Sequence, residues 1–294
     1  MIISASYRTD IPAFHGAWFD KRLDAGFCTV RNPYSGTVTR IALDADAVDG
    51  FVFWTRRLGG FMDTLDRLAN QGCPFTIQFT VTGYPTVLEP AVIDWRRAIG
   101  EIQEAAARYG PRAVVWRYDP VFLCELTPKS LHVERIAEIA DRLAGATDEV
   151  VLSFAHIYRK TRRNTERAAA KHRFAWSDPD PEEKRSLLST LAKTAAQHGL
   201  KATLCAQPNL LTPSLRPARC IDADRLSDVA GKRITSSRKG NRSGCLCADS
   251  RDIGAYDTCS HGCVYCYAVS SRDAAKRRIK GLSLDAEGLH ATGS

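Results

Sequence analysis

The sequence predicts an α/β fold: a (β/α) barrel, complete or partial, whose mouth is capped by a Cys-rich loop near the C-terminus. Three observations predict it. Short apolar, β-branched runs alternate with helical patterns along most of the chain. Those runs are almost continuously apolar, as parallel strands covered on both faces require. Polar and charged residues gather where the runs end, and a barrel collects its chemistry at the C-terminal ends of its strands.

The predicted strands are Ile2–Ser6, Phe27–Arg31, Gly50–Thr55, Phe75–Thr82, Ala113–Arg117, Val150–His156 and Ala202–Ala206. An eighth over Arg233–Ser237 fits the pattern poorly. Three helices are well marked. Val92, Trp95, Ile99, Ile102 and Ala106 recur at three- and four-residue steps and form one apolar stripe, closed by Gly110. Thr127-Pro128 supplies a cap and a first-turn proline ahead of Ile136, Ile139 and Leu143. Asp180-Pro181-Glu182-Glu183 opens a helix carrying Leu187, Leu188 and Leu191, with Gly199 at its end. The implied organisation is a barrel over 1–231, a Cys-rich loop and basic tail packed on it over 232–282, and a loose tail over 283–294.

Composition narrows the class. The chain has 294 residues, 44% hydrophobic and 25% charged, ordinary for a globular protein. No window is apolar enough for a membrane span, and the N-terminus lacks the charged start and apolar core of a secretory signal. The expected location is the cytoplasm, and the ten cysteines do not read as a disulfide framework. Cys28, Cys73, Cys124 and Cys205 sit among apolar residues and read as small buried hydrophobes. The net charge of +8 is concentrated at Arg159–Arg173, Lys232–Arg242 and Arg272–Lys280. These are solvated faces or contacts for a polyanion such as nucleic acid.

The strand ends carry the candidate site. The first leads into Tyr7, Arg8, Thr9 and Asp10, and the Gly50–Thr55 run into Arg56. Gln78, Thr80 and Thr82 alternate onto one face. Arg117, Tyr118 and Asp119 close the fifth strand, and His156 closes the sixth. Two readings stand: ion pairs tying loops together, such as Arg8 or Arg117 with Asp10 or Asp119, or a polar pocket for a ligand.

The densest signal is Cys259-Ser-His-Gly-Cys263-Val-Tyr-Cys266-Tyr-Ala. Three thiolates can hold three irons of a cubane and leave the fourth open, whereas an electron-carrying cluster normally takes four. Zinc, or a four-thiolate cluster completed by Cys245 or Cys247, fits the same cysteines. His261 is a ligand or orders the loop by hydrogen bonds. Cys245-Leu-Cys247 is part of a second metal centre, alone or with Cys220, or a relay for reducing equivalents, or a pair of unligated thiols.

The loop resembles the cluster loop of radical S-adenosylmethionine (SAM) enzymes, and His-Gly-Cys-x-Tyr-Cys-Tyr-Ala is closest to the spore-photoproduct-lyase-like branch. The resemblance implies a [4Fe-4S] cluster on Cys259, Cys263 and Cys266, SAM at the open iron, and Tyr265 beside the adenine. Those enzymes mostly carry the loop early in the chain and follow a strand with Gly-Gly-Glu; here the loop is C-terminal and Gly59-Gly60 leads into Phe61. Residues 1 to about 270 also resemble an uncharacterised bacterial family of domain-of-unknown-function type. That resemblance rests on residues 6–14, 30–33, 52–56, 78–83, 116–120 and 252–259.

The expectation is a radical SAM-type enzyme that cleaves SAM reductively and abstracts hydrogen from a substrate. Arg8, Asp10, Arg117 and Asp119 would position SAM or substrate, aided by Arg56, Gln78 and Thr80. His156 or Tyr118 would donate a proton or hydrogen atom, and a flavodoxin or ferredoxin would supply electrons. The alternative is a protein that binds or modifies nucleic acid and carries a structural zinc or four-thiolate iron–sulfur loop.

Overall fold

The computed structural model describes residues 1–290. Eight strands form one sheet in the order Arg216–Pro217, Lys201–Leu204, Glu149–Phe154, Val114–Val121, Phe75–Thr80, Gly50–Thr55, Ile2–Ala5, Ser250–Asp252. Every ladder in it is parallel. From Ile2–Ala5 to Arg216–Pro217 each strand adds to the same advancing edge. Right-handed crossovers then place the connecting helices on one face.

That face holds the main core. Phe51, Phe53, Phe75, Ile77, Phe79, Trp116 and Leu152 pack against Ile99, Ile102, Ile136, Ile139, Leu188 and Leu191. The helices are Trp95–Tyr109, Lys129–Leu143 and Pro181–Gln197. Asp94 and Asp180 cap two of them with their carboxylates. Thr127 does not cap the third: the helix starts at Lys129, and the buried Thr127 hydroxyl donates to the Phe122 carbonyl at 2.6 Å. The alternating side chains Ile2, Val52, Val115 and Val151 point to the opposite face. There they meet the C-terminal third of the chain, at Cys205, Cys220, Ile221, Leu226 and Cys247.

The sheet is open, which corrects the expected barrel. Among the described residues no ladder joins Arg216–Pro217 to Ser250–Asp252. One predicted strand does not belong to the sheet: Phe27–Arg31 pairs antiparallel with Val38–Ala42 as a separate hairpin. Arg233–Ser237 forms no strand. The two edge strands are short, and Pro217 has no N–H to offer a further neighbour. Between them the chain crosses the inner face as one short helix, Ala223–Ala230, and an irregular segment carrying Cys245 and Cys247, with no further strand among the described residues.

The predicted loose tail is packed where it is described. The Glu287 carbonyl accepts from Thr29 N at 2.7 Å, the Trp18 indole donates to Ala286 O at 2.8 Å, and Leu289 is buried. Residues 291–294 of that tail lie outside the described residues.

Gly254 marks the closest approach of the last strand to the first. A Cβ there would fall 2.0 Å from Ser6 Oγ and 3.1 Å from Thr9 Cγ2. Gly254→Ala is therefore expected to destabilise the fold by about 1–3 kcal/mol, the usual cost of overpacking. Urea unfolding of the variant beside the wild type checks this, and an unchanged midpoint refutes it.

Candidate functional site

Two buried carboxylates organise the strand ends. Asp10 caps the short helix Ile11–Phe14 through Ala13 N and also accepts from the Thr55 hydroxyl at 2.7 Å and Arg56 N at 2.8 Å. It faces His261 Nε2 at 2.8 Å. Asp252 accepts from Ser4 Oγ, Ser6 Oγ, Tyr7 N, Arg8 Nε and Gly254 N at 2.7–3.0 Å. Arg8 thus pairs with Asp252, not with Asp10 or Asp119.

The cysteine loop docks against these ends. The Tyr267 hydroxyl donates to Tyr7 O at 2.7 Å, Val264 N to Leu88 O at 3.0 Å, and Ala91 N to His261 O at 3.0 Å. His261 Nδ1 faces Ala91 O at 3.1 Å. Both ring nitrogens are engaged, so His261 orders the loop and is not free to ligate.

Beneath the loop lies a buried polar cluster. Arg56 donates to Glu89 Oε1 at 2.8 Å and to Tyr265 Oη at 3.0 Å, while the Thr82 hydroxyl donates to the same Glu89 oxygen at 2.6 Å. The Tyr265 hydroxyl also donates to Glu89. Tyr265 is packed beside Tyr84 and Phe122, which makes it an anchor of the loop. Glu89, which no sequence pattern marks, completes the cluster. It lines a cavity of about 180 Å³ together with Thr80 and Thr82.

Cys259 lies close enough to feel charge on Cys263 and Cys266, and Cys263 close enough to feel charge on Cys266. Burial pushes all three thiols up, most strongly at Cys259. Asp10 adds to the rise at Cys259, whereas Arg56 opposes it at Cys263. Thiols that resist ionisation alone, two of them near one buried cation, suit a cationic metal group, which supplies the missing charge. Among the described residues no three His, Cys, Asp or Glu side chains surround a single point as ligands of one ion.

A second polar group lies on the inner face. Arg117 donates to Gln78 Oε1 and to Cys220 Sγ, each at 3.0 Å, and pairs with Asp119, which also accepts from the Ser153 hydroxyl. Burial raises the Asp119 carboxyl, but Arg117 and Ser153 outweigh it and hold it below its ordinary value. His156 faces Gln207 Nε2 at 3.3 Å and stacks on Tyr158. Burial, then Arg242, lowers its pKa, so the ring is neutral at neutral pH.

Tyr118 is not part of this group. Strand alternation turns it to the helical face, where its hydroxyl meets His132 Nδ1 at 2.9 Å in full burial. Burial lowers the His132 pKa to about 4, against the Phe122 carbonyl, which raises it. The folded chain therefore binds this proton less readily than the unfolded chain, and stability falls as pH drops from about 6.5 to about 4. The contribution is about 3 kcal/mol. Urea titrations across that window should show a shallower loss for His132→Gln than for the wild type; equal slopes refute the assignment.

Comparison with curated proteins and with solved structures finds no match. No helix among the described residues is long and apolar enough to cross a membrane. Residues 2–268, which hold the sheet, the inner-face charges and the docked cysteine loop, match the family described as Domain of unknown function (DUF1848), and the chain belongs to that family.

Proposed function

We propose that the protein is an iron–sulfur enzyme of radical SAM type, with Cys259, Cys263 and Cys266 holding a [4Fe-4S] cluster. The observation that carries this reading is the C-x3-C-x2-C loop docked at the strand ends, with Cys263 and Cys266 near the Arg56 guanidinium. Held by these three cysteines, such a cluster would supply the one electron that reductive cleavage of SAM to methionine and a 5′-deoxyadenosyl radical needs, and that radical would abstract hydrogen from a substrate.

The chain's own residues have separate tasks in this reading. Arg56 offsets thiolate charge at Cys263 and is itself fixed by Glu89. Tyr265 and His261 hold the loop to the sheet. Arg117 is committed to Gln78, Cys220 and Asp119, so it positions Asp119 and does not itself meet a ligand. Asp119 keeps a partly open carboxylate for a cationic or hydroxyl group. Neutral His156, at the end of the next strand, is placed to take up a proton. Electrons would come from a flavodoxin or ferredoxin.

Anaerobic reconstitution tests the proposal. About four irons and four sulfides per chain are expected. The electron paramagnetic resonance spectrum of the reduced protein should change on addition of SAM, and alanine at any of the three cysteines should abolish the signal. A spectrum blind to SAM, or iron content independent of these cysteines, sinks the reading.

One surface favours action on a nucleic acid. Tyr158 and Tyr267 are 47% and 42% exposed, with ring centroids 6.4 Å apart. They stand at the start of the basic helix Arg159–His172. Exposed aromatic faces beside a cationic helix suit base stacking along a phosphate backbone. Binding of single-stranded oligonucleotides should weaken steeply as salt rises. No binding at low salt removes nucleic acid from consideration.

A further inference from the structure

Four cysteines outside the C-x3-C-x2-C loop meet on the inner face. Cys205 follows the Lys201–Leu204 strand, and its N–H continues the ladder to Leu152 O at 2.9 Å. Cys220 precedes the helix Ala223–Ala230. Cys245 and Cys247 lie on the irregular segment that leads to the last strand. Ala248 N donates to Ile221 O at 2.9 Å, which lays this segment against Cys220.

Their sulfurs are neighbours. Cys220 Sγ lies 3.5 Å from Cys205 Sγ, and Cys247 is near enough to both Cys220 and Cys245 for their charges to interact. Three donors aim at the set: Arg117 Nη1 to Cys220 Sγ at 3.0 Å, Arg242 Nη2 to Cys205 Sγ at 3.3 Å, and Ile221 N to Cys247 Sγ at 3.3 Å. A neutral thiol is a weak acceptor, a poor use of two guanidinium groups. Sulfur that carries charge in a metal complex accepts such bonds well, and hydrogen bonds to sulfur are a regular part of these centres.

We propose that Cys205, Cys220, Cys245 and Cys247 form a second, all-cysteine metal centre, independent of the cluster assigned to the first three cysteines. The spacing suits one tetrahedral ion of the zinc type. Zinc–sulfur bonds of about 2.3 Å give tetrahedral edges of about 3.8 Å, close to the Cys205–Cys220 separation. The four sulfurs run as an open chain, no three of them around one point. Closing it requires Cys205 and Cys247 to draw together around Cys220, and Cys245, the half-buried end, to turn inward. Its loop approaches its neighbours closely, since a Cβ on Gly240 would lie 2.2 Å from Cys245 O and one on Gly244 2.7 Å from Pro208 Cδ. The centre would tie the Arg216–Pro217 edge of the sheet to the segment bound for the other edge.

The test uses full-length chain with Cys259, Cys263 and Cys266 all changed to alanine, so that the first site is silent. About one zinc per chain is expected, lost in the further variants Cys220→Ser and Cys247→Ser but kept in Cys73→Ser. Titration of the metal-stripped triple variant with cobalt(II) reads the site without further mutation. Intense sulfur-to-cobalt absorption with tetrahedral visible bands is expected at one equivalent. Iron with acid-labile sulfide that depends on the same four cysteines also upholds an all-cysteine centre and identifies its occupant as a cluster. No bound metal and no cobalt–thiolate absorption, with the four thiols titrating as free or as disulfides, overturns the proposal. Loss of the first site's signal leaves this result untouched, so the two readings fail separately.

Discussion

The Asp252 carboxylate, its side chain 5% exposed, accepts from five donors, four of them between Ser4 and Arg8. A buried charge needs a counter-charge and a full complement of hydrogen bonds. Arg8 supplies the first, and the strand end supplies most of the rest. Through this one side chain the last strand is locked in parallel register beside the first, and the two ends of the chain become one edge of the sheet. The cysteine loop begins seven residues later in sequence. Its position at the strand ends follows from that register, and His261 and Tyr265 complete the docking on Asp10 and Glu89.

The helices were legible because their burial is periodic, and the long strands because burial on both faces makes them almost continuously apolar. The stripe from Trp95 to Ala106 faces one core, whereas the runs Phe51–Phe53 and Phe75–Phe79 send alternate side chains to both faces of the sheet. The edge strands were not. Arg216–Pro217 and Ser250–Asp252 are too short and too polar for any period to register. The Phe27–Arg31 run has strand chemistry, but only tertiary structure says that its partner is Val38–Ala42. The barrel expectation counted that run as a member of the sheet.

The site divides in the same way. Asp10, Arg56, Arg117 and Asp119 were visible as charges closing apolar runs. Tyr118 was drawn in by its neighbours, although alternation places it on the face opposite Arg117 and Asp119. Glu89 sits in a loop with no repeat to expose it. Asp252 was within a stretch that carries the family resemblance, yet nothing local distinguishes a carboxylate that pins a strand from one at the surface. Cys205 has apolar neighbours and reads as filler, because its sulfur neighbour, Cys220, comes from another element of the chain.

An open sheet is also what the inner-face charges require. The interior of a closed barrel is filled by layers of branched apolar side chains, with no room for a guanidinium, an amide and a carboxylate in one layer. Here Arg117, Gln78 and Asp119 occupy that position. Their partners are Cys220 and Ser153, and Gln78 also donates to the Cys220 carbonyl at 2.9 Å. The backbone and sulfur that satisfy them belong to the segment between the two edge strands. Were that segment an eighth strand–helix unit, its backbone groups would be spent in the sheet and Arg117 would lose its sulfur partner in a buried site. The irregular Cys-rich crossing thus replaces barrel closure, and it leaves the polar face within reach of the docked cysteine loop.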